Sequence, residues 1–256
     1  DKKIFNKLIK ILSEKDDSGN ILLKDQVVGK NGKKITPGKS TEYFAIEQIK
    51  ENKKTVRKYR SKDGKIRNIF SIDFNLHSEH KGTRANRYAK DIFYQSQRFK
   101  IDPAIAMAVT ETESSFNPKA TSNIPAYGLM QLVPASGARD AYKYVYNKDR
   151  FLGKRYLYKP QNNIELGCAY LGKIRHVYFK GIENDENAMI CTVAAYNTGV
   201  GNVSKALTNT TKISPMVKKV NRMSSNKLYQ TLLEDLEYQE TRDYLKKVWN
   251  RKENYN

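Results

Sequence analysis

Cysteine and histidine are scarce in this chain, and their scarcity removes several kinds of chemistry at once. Two cysteines in 256 residues, Cys168 and Cys191, allow at most one bridge and no disulfide scaffold. Both fall in apolar, helix-patterned segments, so two buried thiols are expected rather than a disulfide. The three histidines, His77, His80 and His176, have no cysteine or carboxylate at ligand spacing, so no metal site and no cofactor are expected. No apolar run approaches the roughly 20 residues that cross a bilayer. The opening DKKIFNKLIKIL has no signal-peptide core followed by small residues and no cysteine, so any export signal or lipid anchor is expected to have been removed.

Acidic residues are also in deficit. Against 27 Asp and Glu stand 47 Lys and Arg, a net charge of +20, which predicts attraction to a polyanion. Nucleic acid, an anionic lipid surface and a glycan bearing peptide carboxylates all fit that charge. Zinc-finger spacing, an RNP-like word and a dense basic arm are missing, and the cations are spread along the chain. That spread suits general attraction better than sequence readout, so nucleic acid is not the expected partner.

What is present suffices for one large or two modest domains, with 39% hydrophobic residues. Residues 3–12 have helical spacing, read as a helix packed on a following sheet. NILLKDQVV at 20–28 reads as a strand, Asn31-Gly32 as a hairpin-type turn, and 40–54 as a helix capped by Ser40 or Thr41. TVRKYR and IRNIFSIDFNL flank the turn Lys62-Asp63-Gly64, with Phe70, Ile72, Phe74 and Leu76 alternating as a half-buried strand. Residues 1–80 therefore form a small α+β unit, closed by a polar link at 78–82. From there to residue 256 the period is helical, beginning with a stripe of Ala85, Tyr88, Ala89, Ile92 and Phe93. The fold class is α+β, with a mainly helical second domain.

The most informative stretch is IDPAIAMAVTETESSFNPKATSNIPAYGLMQL, residues 101–132. Asp102 suits an N-cap and Pro103 the first helical position, and Pro118 is expected to mark the end. Positions about 100° apart put Ala106, Val109 and Glu113 on one face. Burial and the negative end of the helix dipole should both raise the pKa of Glu113. A carboxylic acid kept protonated near neutral pH suits a general acid; the plainer alternative is an ordinary helix-end carboxylate. Glu111 projects to the opposite side and is read as solvated.

Four words follow in order: ESSFNPKATS at 113–122, GLMQ at 128–131, AAYNTGVGNV at 194–203 and ETRDYL at 240–245. Together they resemble the catalytic domain of the lytic transglycosylase family, with a goose-lysozyme-like fold. The resemblance implies cleavage of the MurNAc–GlcNAc bond of peptidoglycan with formation of 1,6-anhydro-MurNAc ends. Glu113 would act first as acid and then as base. It also implies substrate contacts from Ser122, Met130, Gln131, Tyr196, Asn197 and Tyr244. Gly128 would let backbone approach the sugar, and Glu240 and Arg242 look structural. Tyr127 departs from the small or apolar residue common before GLMQ. A periplasmic, outer-membrane-associated monomer with an N-terminal lipid anchor is the implied setting, and the first 80 residues look like part of an accessory domain. A hydrolytic muramidase of the same fold and a non-catalytic basic binder of glycan or nucleic acid are the alternatives.

Overall fold

The computed structural model describes residues 1–51 and 55–256. The chain divides into two compact units, Asp1–Thr83 and Arg84–Asn256. In the first, α1 (Lys2–Leu12) buries Leu8 and Leu12 on the face that its periodicity marks. Its principal partner is a helix, α2 (Lys39–Glu51), and not the sheet. Leu8, Leu12, Val27, Phe44 and Ala45 make the small core, and Phe44 meets Phe74 edge-on at 5.7 Å. Ser40 and Thr41 lie inside the first turn of α2, where both hydroxyls donate back to the Thr36 carbonyl. The tail of the expected helix, 52–54, lies outside the described residues.

The strand expected at 20–28 does not form. Asp25 takes a left-handed φ of 61°, and Lys24 and Gln26 donate back to Ile21 and Leu23, so the run coils into turns. Isolated bridges remain in its place: Lys15 to Ile21, Val27 to Leu76 and Val28 to Lys34. The two expected turns do form: Gly29 and Lys33 close one over Asn31-Gly32, and Ser61 and Lys65 close the other over Asp63-Gly64. The second joins β1 (Thr55–Arg60) to β2 (Ile66–Ser71), antiparallel with Arg60 opposite Ile66. β2 stops at Ser71, yet Ile72, Phe74 and Leu76 stay half-buried and alternate beyond it; the Phe70 side chain is outside the described ones.

Residues 80–82, expected as link, are already helical: α3 runs His80–Arg98. Ala85, Tyr88 and Ile92 are buried as expected, but Phe93 is 52% exposed. Ser96 takes the inward position instead, donating to the Ile92 carbonyl at 2.6 Å. The rest of the second unit is helical. In order come α4 (Pro103–Ser114), α5 (Gly137–Tyr146), α6 (Lys154–Leu157), α7 (Pro160–Lys173) and a π-helical turn (Ile174–Tyr178). Then follow α8 (Asp185–Thr198), α9 (Val200–Thr208), α10 (Ile213–Val220), α11 (Ser225–Asp235), α12 (Gln239–Arg251) and a final 3₁₀ turn (Lys252–Tyr255). α8 is buried nearly all round and is contacted by α7, α9, α11 and α12, so it is the axis of this unit. Cys168 and Cys191 are free, buried thiols, and burial pushes both up to about 12. They pack as small apolar groups.

Candidate active site

The site is built on the last turn of α4. Asp102 caps the helix, accepting from the Ala104 N–H at 2.8 Å, and Pro103 occupies the first turn. Ala104 through Thr110 are all buried. The helix ends at Ser114, four residues before Pro118, because Ser115 and Phe116 are both left-handed, with φ of 49° and 58°. Such a conformation costs a non-glycine residue on the order of 1 kcal/mol. Burial of Phe116 and the bond from Asn117 N–H to Ser114 O, 3.0 Å, hold the turn. Ser114 ties this turn to the GLMQ segment, its hydroxyl donating to Leu129 O at 2.7 Å.

Glu113 stands at that helix end as a half-buried residue whose carboxyl is desolvated. Its pKa is pushed up to about 7. Desolvation is the largest cause; the Tyr244 hydroxyl opposes it, and the negative charge of Glu240 adds to it. The Tyr244 hydroxyl is buried against the carboxyl but meets no group at hydrogen-bond geometry among the described residues. Its interaction is with the Glu113 carboxyl, which it favours in the charged form. Burial and the neighbouring Glu113 charge hold the phenols of Tyr244 and Tyr196 well above their ordinary value, so both stay protonated donors.

A raised carboxyl pKa means that the folded state binds the proton more tightly than the unfolded chain does. The stability this contributes is fully present below the ordinary carboxylate value and is lost as pH rises through about 7. Glu113→Gln, which mimics the protonated form, is therefore expected to unfold like the parent near pH 4. At pH 8 it should be more stable by on the order of 2 kcal/mol. Thermal unfolding at the two pH values checks this, and equal stability at both would contradict the buried setting of the carboxyl.

The other expected site residues are placed unevenly. Tyr196, at the end of α8, buries its ring 5.4 Å from Tyr170 and donates its hydroxyl to Met130 O at 2.7 Å, so it offers no open face for stacking. Met130 is a correction: it is fully buried, because Gly167 on α7 leaves a notch for its side chain. Gly128 is another. Its φ is 81°, and an added Cβ would lie 2.4 Å from both Leu157 O and Asn163 Nδ2, so it makes room for protein and not for sugar. Gln131 donates its amide to Ala120 O and Gly128 O at 3.1 and 2.8 Å, which fixes the loop. Ser122 sits in an exposed loop, its hydroxyl donating to Ile124 O and accepting from Ala126 N–H. Asn197 is exposed and accepts from Thr241 at 2.8 Å, linking α8 to α12. Tyr127 packs edge-on against Tyr158 at 5.6 Å, forming an aromatic pair.

Glu111 is not solvated. It accepts the Tyr255 hydroxyl at 3.0 Å and lies 3.7 Å from Arg251. Asn163, unremarked in the sequence, is fully buried and organises the GLMQ segment. It accepts from Met130 N–H at 2.7 Å and donates to Tyr127 O and Leu157 O, both at 2.8 Å. Its position in the apolar stripe of α7, beside Ile164 and one turn before Gly167, was the available signal. Arg242 donates to Leu236 O and Gln239 and so ties α11 to α12. Among the described residues no group of three His, Cys, Asp or Glu side chains could hold a metal ion.

The second unit is thus mainly helical and sets one desolvated glutamate carboxyl at a helix end. Residues 90–215, all within the second unit, match the Transglycosylase SLT domain. Across most of its length the chain is 34% identical to the membrane-bound lytic murein transglycosylase C of Salmonella arizonae, over 244 residues covering 94% of this chain and 65% of that protein. The protein of the same name from Sodalis glossinidius is 36% identical over 190 residues, 74% of this chain and 52% of that one. The chain thus spans between about half and 65% of the length of these relatives. The lytic transglycosylase Slt of Pseudomonas aeruginosa, solved as an inactive glutamate-to-glutamine mutant, matches 69% of this chain and 25% of its own. The TM-score is 0.52 and the identity 25%.

Proposed function

We propose that this chain is a peptidoglycan lytic transglycosylase with Glu113 as its catalytic acid and base. The observation that carries the reading is a desolvated carboxyl, its pKa pushed up to about 7, at the end of the helix the SLT match includes. Breaking a glycosidic bond needs a proton for the departing oxygen and an electron pair for the anomeric carbon. Protonated Glu113 donates its proton to the glycosidic oxygen as the C1–O bond breaks. The muramyl C6 hydroxyl then attacks C1, and the Glu113 carboxylate takes the proton from that hydroxyl. The internal nucleophile profits from high effective molarity, so no second carboxylate and no water are required. Tyr244 donates toward the reacting oxygens, while Tyr196, Gln131 and Asn163 hold the 128–131 segment in place.

A second reading, hydrolysis by a muramidase, has one observation behind it: Glu240 is near enough to raise the Glu113 pKa. Mass spectrometry of digested sacculi separates the two. Transglycosylation leaves anhydromuramic ends, and reducing muramic ends would overturn it in favour of hydrolysis. Activity should fall as pH rises through about 7, because the first step needs protonated Glu113.

Among the described residues no helix is long and apolar enough to cross a membrane. We assign the protein to the periplasmic face of the outer membrane, as a monomer held by an N-terminal lipid anchor, with residues 1–80 as an accessory domain. The membrane-bound character of the relatives' name supports this setting. A lipid-modified cysteine at the precursor's mature N-terminus is the expected finding; an unmodified secreted start would refute the assignment.

A further inference from the structure

Glu111, Thr112, Arg251 and Tyr255 form a contact set to which the reaction gives no role. Arg251 Nη1 donates to Thr112 Oγ1 at 2.9 Å, and its Nε lies 3.7 Å from Glu111 Oε1. Tyr255 donates its hydroxyl to Glu111 Oε2 at 3.0 Å and sets its ring edge-on to Phe116, centroids 6.4 Å apart. The gripped residues, 111, 112 and 116, bracket Glu113 on both sides. They also bracket Ser115, where the chain turns left-handed out of α4.

The grip and the site share one helix. Tyr244 and Arg251 are seven residues apart on α12 and so lie on the same face, and the final 3₁₀ turn carries that face on to Tyr255. The face that sets a phenol against the Glu113 carboxyl therefore continues into the face that holds the adjacent residues of α4.

We propose that Arg251 and Tyr255 are positioning residues for Glu113, clamping the last turn of α4 so that the acid stays registered against Tyr244. The proposal rests on the reading of Glu113 as the catalytic acid. A partly exposed ion pair at 3.7 Å adds little to stability, so the clamp's main consequence is geometric. A displacement of about 1 Å in a catalytic group can lower a rate by roughly 100-fold. The groups facing Glu113 itself are Tyr244 and Glu240 from α12 and Tyr196 from α8. Arg251 and Tyr255 face Glu111 instead, so they act through the backbone and through the placement of α12.

The test compares the full chain with Arg251→Ala, Tyr255→Phe and Glu111→Gln on purified sacculi across pH. Tyr255→Phe keeps the ring against Phe116 and removes only the bond to Glu111, so it should fold even if Arg251→Ala does not. Each folded variant is expected to lose about 10- to 100-fold in kcat with KM little changed. The high-pH limb of the rate should move downward as Glu113 gains solvent. The Arg251→Ala and Glu111→Gln effects should be less than additive, since they break one contact. Carbon-13 titration of the Glu113 carboxyl reads the same shift without any turnover. Variants that fold, keep the parent's titration and keep its kcat would overturn the clamp. A parent chain that cleaves no glycan would overturn the proposed activity instead, while the carboxyl titration still decides whether the clamp fixes the setting of Glu113.

Discussion

Glu113→Gln is expected to lower glycan cleavage by about 10⁴-fold or more while leaving the fold and glycan binding in place. General acid–base catalysis by one group contributes roughly 10²- to 10⁴-fold, and here both proton transfers fall on the same carboxyl. Gln keeps the shape and the hydrogen-bonding of the protonated acid but has no proton to give. The surrounding packing does not depend on the charge, because the carboxyl is already held neutral up to about pH 7. Glu111→Gln is the comparison. That side chain faces Arg251 and Tyr255 and touches no reacting atom, so its loss should stay near the lower end of the positioning range, about 10-fold. Initial rates on sacculi for both variants check the asymmetry. Equal losses would mean that the acid has been placed on the wrong carboxylate.

The second large effect is structural and sits at Gly128. A Cβ there would lie 2.4 Å from the Leu157 carbonyl oxygen and from Asn163 Nδ2, and 2.9 Å from Asn163 Cγ. One of these neighbours is backbone and cannot swing aside. The other is a buried amide bonded to Met130, Tyr127 and Leu157. The φ of 81° adds left-handed strain. Gly128→Ala is therefore expected to destabilise the protein by about 2–5 kcal/mol, combining overpacking with backbone strain. Chemical denaturation measures it. A loss below about 0.5 kcal/mol, inside the range of an ordinary surface change, would show that the 128–131 segment is looser than its contacts imply.

Local pattern made α4 legible. An Asp-Pro start, an unbroken run of small apolar residues and a glutamate on the same stripe specify α4 and the stripe that Glu113 continues. The same local pattern failed where distant partners decide. Glu111 looked solvated because Arg251 and Tyr255, which hold it, lie some 140 residues away in the chain. Met130 and Gly128 looked like sugar contacts because the notch at Gly167 and the buried amide of Asn163 come from another helix. In the first unit the apolar run 20–28 has strand composition, but a left-handed Asp25 and back-bonded turns break it. Tyr244 is picked out by its place in the ETRDYL word, whereas its interaction with Glu113 depends on the packing of α12 against α4.

The central claim is that one carboxyl and an internal hydroxyl do the whole reaction. Digesting purified glycan strands in ¹⁸O-labelled water and weighing the muramic ends tests it most directly. Attack by the C6 hydroxyl predicts anhydro ends that carry no label and are lighter than a reducing end by one water. Reducing ends that carry ¹⁸O would show that water is the nucleophile and would contradict the account.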